Sequence, residues 1–350
     1  MCAYRDKHTQ GQPHPQSPSQ FPTQTNSLLD NTLQSDHSDT DSAFSERLDD
    51  SWTASLSSSV FNYRYENGRR YHAYREGQYV LPNDELEQDR LDMFHHIFKM
   101  ILGGHLYRAP LNQPQRVLDL GCGTGLYCVE FGDDHPESIV VGVDLSPIQP
   151  TLIPPNVKFY VDDIESEWTY PPSERFDYIH GRALCGCIAD WPRLFRQCLR
   201  TLNPGGWLEM QDYQCHVWSD DNTLDGAIYL LDWVEQMNEA SKTFGKILKS
   251  AEAMKSHMQA AGFTNVHEEI YKVPIGTWPK ENRFKELGMY YRAQFIDAVE
   301  PYTLALYTRV LGYTSDEARI VVARVKRDLA NPKFHMYVHF HFVWGQKPEG

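Results

Sequence analysis

The chain has 350 residues, 41% of them hydrophobic and 13% aromatic, which is enough apolar material for one large α/β unit with added elements. Its 33 Lys and Arg stand against 47 Asp and Glu, and the formal charge of -14 opposes tight binding to phosphate backbones or anionic lipid. No apolar run approaches the ~20 residues that span a bilayer, and the first residues are polar rather than signal-like. Seven cysteines, an odd number set mostly in apolar segments, read as reduced thiols. The expectation is a cytoplasmic or nuclear protein with no membrane or nucleic-acid partner.

Residues 1–60 hold 12 Ser and eight acidic residues against three basic ones, and too few apolar side chains to offset chain entropy, so a disordered tail is expected there. Residues 61–109 read as an N-terminal lid and helix. Aromatics and arginines alternate from Tyr63 to Tyr79 in an extended run that Leu81-Pro82-Asn83-Asp84 stops. A helix follows, with Asp84 and Glu87 at capping-box spacing, Leu91, Phe94, Phe98 and Ile101 at helical intervals, and Gly103-Gly104 as its end.

Residues 110–350 alternate short apolar runs with helical stretches. The runs are Arg116–Leu120, Ile139–Leu145, Val157–Val161, Phe176–His180 and Trp207–Asp212, the last entered through the Pro204-Gly205-Gly206 turn, and the alternation predicts an α/β, doubly wound parallel sheet. A helix over Ala251–Ala261 ended by Gly262 and a strand over Phe263–Val273 come next. Helices cover about residues 280–330, with Thr314 and Glu317 at capping-box spacing, before a last strand over Phe334–Trp344.

The most informative stretch is Val117-Leu118-Asp119-Leu120-Gly121-Cys122-Gly123-Thr124-Gly125, a buried strand running into three spaced glycines and then a helix. Glycine is required where the backbone takes positive φ or where a ligand approaches closer than a Cβ permits. A dinucleotide fingerprint would put its third glycine at position 126, which is Leu126, and this disfavours an NAD-dependent oxidoreductase. Asp144 closes the next strand, where a carboxylate can accept bonds from both hydroxyls of a ribose and would repel a 2′-phosphate. Asp162 and Asp163 follow the third strand, suited to an exocyclic amine, with Ile164 against a base. Asp119 adds a carboxylate for a cationic amine. Ribose, adenine and ammonium together describe S-adenosylmethionine.

The core resembles class I S-adenosylmethionine-dependent methyltransferases, with V-L-D-L-G-C-G-T-G at their first motif. More narrowly, Asn67-Gly68-Arg69-Arg70-Tyr71, Tyr79-Val80-Leu81-Pro82-Asn83-Asp84, Gln88-Asp89-Arg90-Leu91-Asp92, Gly142 through Pro150 and Gly345-Gln346-Lys347-Pro348 are similar to the fungal LaeA-like methyltransferases, over roughly Asn67 to Pro348. Phe176 through Arg182 and Trp207 through Tyr213 are closer to that group's pathway enzymes. The resemblance implies a seven-stranded, Rossmann-like sheet, the methyl donor and a place in fungal secondary metabolism. It also implies an N-terminal lid over the donor, on which Tyr71, Tyr74 and Tyr79 lie; Tyr74 and Tyr79 are candidate cofactor contacts, since aromatic faces suit a sulfonium.

Methyl transfer from a sulfonium needs alignment and exclusion of water more than it needs acid–base groups. His180 is the candidate base if the acceptor holds its proton, and Arg182 could steer an acidic acceptor or make a structural ion pair. Helices over Asp225–Phe244 and about 280–330 are expected to wall the acceptor pocket, the second as a cap between the last two strands. Cys185, Cys187 and Cys198 lack the partners for a tetrahedral metal set, His335, His339 and His341 read as surface histidines, and no metal is expected. The acceptor is expected to be a small molecule or a protein side chain. The alternative is a nuclear regulatory subunit whose methyltransferase fold docks protein partners.

Overall fold

The computed structural model describes residues 63–72, 74, 75, 77 and 79–349, and the expected tail over residues 1–60 lies outside them. The chain enters as a hairpin of β1 (Arg64–Glu66) and β2 (Arg69–Tyr71). Asn67 and Gly68 turn it with φ of 53° and 79°, the two positive values that a tight right-twisted hairpin turn demands. The expected extended run therefore folds back on itself at an Asn-Gly pair. A two-stranded ribbon is marginal alone. This one is held by Arg309, which pairs with Glu66 at 2.7 Å and lies over the Tyr71 ring at 5.1 Å, and by Arg69, which grips Asp84 through two nitrogens at 2.5 and 2.8 Å.

Helix α1 (Glu85–Ile101) starts where Asp84 accepts from the Glu87 amide at 3.1 Å. Only half of the expected capping box forms, because the Glu87 carboxylate turns to Arg90, 2.6 Å away, in a buried pair. Leu102 caps its C-terminal end, ahead of Gly103 and Gly104, both at positive φ. Phe94, Ile97 and Phe98 form the buried stripe of α1.

The seven-stranded sheet has the order β5-β4-β3-β6-β7-β9-β8, built from β3 (Arg116–Leu120), β4 (Ile139–Asp144), β5 (Val157–Val161), β6 (Phe176–Arg182), β7 (Leu202–Tyr213), β8 (Thr264–Ile275) and β9 (Met336–Gln346). β3 to β7 run parallel, and β9 inserts antiparallel between β7 and β8. Strand β7 begins earlier than the sequence suggests, since Leu202 already pairs with Phe176 and Pro204-Gly205-Gly206 bulges out before pairing resumes at Trp207.

Both faces are covered, which is why the central strands read as continuous apolar runs. On one face α2 (Leu126–Asp134) sets Cys128 and Phe131 against Val117, Val140 and Tyr178. On the other, α3 (Trp191–Thr201) and α5 (Met254–Ala261) set Phe195, Cys198 and Met258 against Leu118, Leu208 and Met210. A further core joins α1 with α4 (Ile228–Phe244), α6 (Asn282–Arg309), α7 (Ser315–Ala330) and the inner side chains of β9. The Thr314–Glu317 capping box is complete at the start of α7. Asp328 of α7 in turn accepts from the Tyr229 and Leu230 amides, capping α4 from a distant part of the chain. Among the described residues no helix is long and apolar enough to cross a membrane.

Candidate functional site

The glycine loop leaves β3 with φ of 64°, 55° and 81° at Gly121, Gly123 and Gly125. All three lie in the left-handed region, so the loop turns back on itself and presents backbone without side chains to whatever lies above it. It is tied to β4 at two levels: the Cys122 amide donates to Val143 O at 3.0 Å, and the Gly123 amide donates to Asp144 Oδ2 at 2.9 Å. The other oxygen of Asp144 accepts from the Ser146 amide at 2.8 Å. Gln149 closes the arrangement, its amide donating to Gly123 O at 2.7 Å and Ser146 O at 2.9 Å. Burial raises the pKa of Asp144, against the backbone amides of Ser146 and Gly123 that hold its charge.

At the tip of β5 the two candidate carboxylates part. Asp162 is exposed and accepts from the Asp163 amide, whereas Asp163 turns inward and accepts from the Glu165 amide at 2.9 Å and the Ser166 hydroxyl at 3.1 Å. Ile164 is half-buried and its carbonyl accepts from Trp168 Nε1 at 2.9 Å. The N-terminal segment reaches this edge too. Arg75 comes within 3.5 Å of Asp163, Asn83 donates to Ser146 Oγ at 3.3 Å, and Leu91 of α1 stands over Gly123. Tyr74 lies under the Arg75 guanidinium, and Tyr79 faces a narrow cleft together with Cys187, Lys246 and Tyr302. Lys246 was not singled out by sequence; Arg75 and Gln149 entered only as members of the aromatic–arginine run and the Ser-Pro-Ile-Gln-Pro stretch, and Cys187 only as a rejected metal ligand.

Asp119, His180 and Arg182 sit elsewhere than expected. Asp119 and His180 are register partners on β3 and β6, and the His180 Nδ1–H donates to Asp119 Oδ1 at 2.7 Å. The imidazole is 0% exposed and stacks on Tyr127 at 3.7 Å between centroids. Burial, set against Asp119, lowers its pKa. Asp119 is thus turned to α2 and to His180, and His180 lies inside the face of the sheet, away from any mouth an acceptor could enter. Arg182 makes neither an open steering contact nor, among the described residues, an ion pair. It lies between the Phe98 and Tyr127 rings at 4.8 and 4.9 Å and donates to Gln211 and His95. His180→Ala is therefore expected to act on stability, by about 3 kcal/mol, through the stranded Asp119 carboxylate. Asp119→Asn in the same chain should recover part of the loss in a urea titration.

The other candidate clusters also resolve. Cys198 lies on the buried face of α3, while Cys185 Sγ is 3.8 Å from Cys215 Sγ, and no group of three or more metal-ligating side chains forms among the described residues. His341 is buried and pairs with Glu268 at 2.9 Å, which corrects its surface reading; β8 packs beside β9 and covers it. His335 precedes β9 and meets Asp221 at 2.5 Å.

Behind the cleft at Tyr79 lies a cavity of about 580 Å³, part of it open to solvent, between α4, α6 and the end of β7. The two spaces share Leu248 and Tyr302 as walls. Cys187, at the junction, has its thiol pushed up to about 12 by burial, with the Asp212 and Asp144 charges acting in the same direction. Lys246 locks this corner by donating to Glu165 at 2.5 Å and to Cys187 O at 2.7 Å.

A family model described as a methyltransferase domain matches residues 93–268. The chain is 42% identical over 301 residues to methyltransferase pytC of Aspergillus terreus, covering 85% of this chain and 92% of that protein. It is 35% identical to the secondary metabolism regulator LAE1 of Cochliobolus heterostrophus over 81% of this chain and 94% of that one. It is also 35% identical to the secondary metabolism regulator laeA of Aspergillus niger, over 81% and 76%. A glycine loop turning beside the Asp144 carboxylate, with Asp163 at the next strand tip, fits an adenosyl group. With this sheet order, this loop and these relatives, the chain belongs to the class I S-adenosylmethionine-dependent methyltransferases, in the group that includes pytC and the LaeA-type regulators.

Proposed function

We propose that the protein methylates a small acceptor of secondary metabolism, held in the cavity between α4, α6 and β7. The observation that carries this reading is that the cavity shares the Leu248 and Tyr302 walls with the cleft at Tyr79 and Cys187, and that the Asp144 charge reaches the Cys187 thiol. Asp144 would hold the ribose hydroxyls, Asp163 and Ile164 the adenine, and the backbone of Gly121 to Gly125 the amino-acid end of the donor. Asp162, being exposed, supports Asp163 rather than touching the ligand, and Asp119 acts through His180 and the loop. Tyr79 and Leu91 exclude water from above. When bound, S-adenosylmethionine supplies a methyl group already activated by its sulfonium. The protein's task is then to align the acceptor and keep water out.

Titration calorimetry with S-adenosylhomocysteine tests the donor site. The expected result is one site per chain, weakened at least ~30-fold in Asp144→Ala, the scale of two lost charge-assisted hydrogen bonds. No heat in the unaltered protein would overturn the assignment.

A second reading has support in the 35% identity to two regulators over 81% of the chain: a regulatory subunit whose fold docks protein partners. Metabolite profiling of a deletion strain separates them. One missing methylated compound supports the pathway enzyme, and many silenced compound families support the regulator.

A further inference from the structure

The wall of the 580 Å³ cavity is formed largely by aromatic and aliphatic side chains, and no Asp, Glu, Lys or Arg lines it. Its one titratable imidazole, His216, has a pKa lowered by burial and by Lys249, which favours the neutral ring. Several polar groups of the wall are already committed. Trp233 Nε1 donates to Thr303 at 2.8 Å, the Tyr213 and Tyr302 hydroxyls meet at 3.1 Å, and the Asn238 Nδ2 donates to two carbonyls while its buried Oδ1 has no partner among the described residues.

Two groups one turn apart on α6 are not committed. Gln294 is 4% exposed and Tyr291 3%, both line the cavity, and neither the Gln294 amide nor the Tyr291 hydroxyl has a hydrogen-bond partner among the described residues. Neither is among the fully buried unpaired atoms, so both polar ends face the cavity space, where a ligand or an ordered water can complete them. An amide offers both a donor and an acceptor and a phenol adds one of each, so the pair reads a carbonyl, amide or hydroxyl group. A carboxylate, phosphate or ammonium in this space would find no countercharge and would keep its full desolvation penalty.

Resting on the methyl-transfer reading above, we infer that the acceptor is a neutral, ring-bearing and mainly apolar molecule whose carbonyl, amide or hydroxyl group is held by Gln294 and Tyr291. Charged metabolites and the lysine, arginine or carboxylate side chains of a protein are rejected by the same wall. The aromatic lining, with Trp233 and Phe295 packed 6.1 Å apart and Tyr213 contributed by β7, suits flat rings.

Two dyes of one ring frame test the class. N-phenyl-1-naphthylamine is neutral and carries an N–H donor; 8-anilinonaphthalene-1-sulfonate adds a single negative charge. With the full-length protein and no methyl donor, fluorescence titration should show the neutral dye saturating at one site per chain and the sulfonate binding at least tenfold more weakly. Ala298→Phe, which fills the cavity from α6, should remove neutral-dye binding, and Gln294→Leu should weaken it about five- to tenfold, the scale of one lost hydrogen bond. Equal or tighter binding of the sulfonate, or neutral-dye binding unchanged in both variants, overturns the inference. Calorimetry with S-adenosylhomocysteine on the same variants should show unaltered affinity, which establishes that they are folded. Loss of that signal in the unaltered protein would sink the donor site while leaving the dye result to stand by itself.

Discussion

Gly123→Asp should abolish donor binding, by at least ~100-fold, while the protein stays folded. The Gly123 amide points at Asp144 Oδ2 from 2.9 Å, and a side chain at this residue would project from a backbone at φ +55° into space bounded only by Leu91 at 3.6 Å. Two carboxylates would then share one edge of the site. Unit charges about 4 Å apart repel by ~4 kcal/mol in a partly buried setting, and the new group also takes up volume that a ligand needs. Aspartate tolerates the left-handed region better than most residues, so the penalty to folding is only on the order of 1 kcal/mol. Gly123→Ala separates the effects: without the charge, the loss should shrink to roughly tenfold. Calorimetry with S-adenosylhomocysteine beside a thermal melt reads both quantities. Retained affinity in Gly123→Asp would remove the loop from the donor site.

Asp212→Asn should stabilise the protein at alkaline pH and do so progressively less as pH falls. Asp212 is 0% exposed, lies opposite His341 across β7 and β9, and has one oxygen, Oδ2, with no hydrogen-bond partner. Burial pushes its pKa up to about 7, only partly offset by the Tyr213 amide and by the Cys185 thiol and amide in the loop after β6. The sign follows from where the proton sits. An unfolded aspartate releases it near pH 4 and the folded one near 7, so through this window the folded state binds more protons and stability falls as pH rises. Above pH 7 the loss levels off at about 4 kcal/mol, three pH units at 1.36 kcal/mol each. Asparagine keeps the Oδ1 contact and has no charge to bury. Urea unfolding should therefore find its advantage about 2–3 kcal/mol larger at pH 8 than at pH 5. An equal advantage at both would show that Asp212 titrates normally.

Much of this arrangement is local information. The strand tips, the glycine spacing, the Asp144 placement and the Thr314–Glu317 cap are each decided within a few residues, where backbone sterics and short-range hydrogen bonds operate. The Asn67-Gly68 hairpin belongs to the same class, because two consecutive positive φ values are a property of that dipeptide, although alternation alone suggests one long extended run.

What the sequence by itself determined was the order of the parallel strands' residues, the loop between β3 and α2, and the carboxylates at the strand ends. Only the tertiary structure decided what the alternate side chains of each strand meet. Periodicity tells that His180 and Asp212 point off a pleat, but the register between β3 and β6 pairs His180 with Asp119, and the antiparallel entry of β9 places His341 beside Asp212. In the same way helical spacing puts Tyr291 and Gln294 on one face of α6, while only the approach of α4 and β7, held by contacts scores of residues apart such as Trp233 to Thr303, turns that face into the wall of a cavity. Burial and hydrogen bonding act between whatever groups the fold brings together, and chain separation has no bearing on their strength.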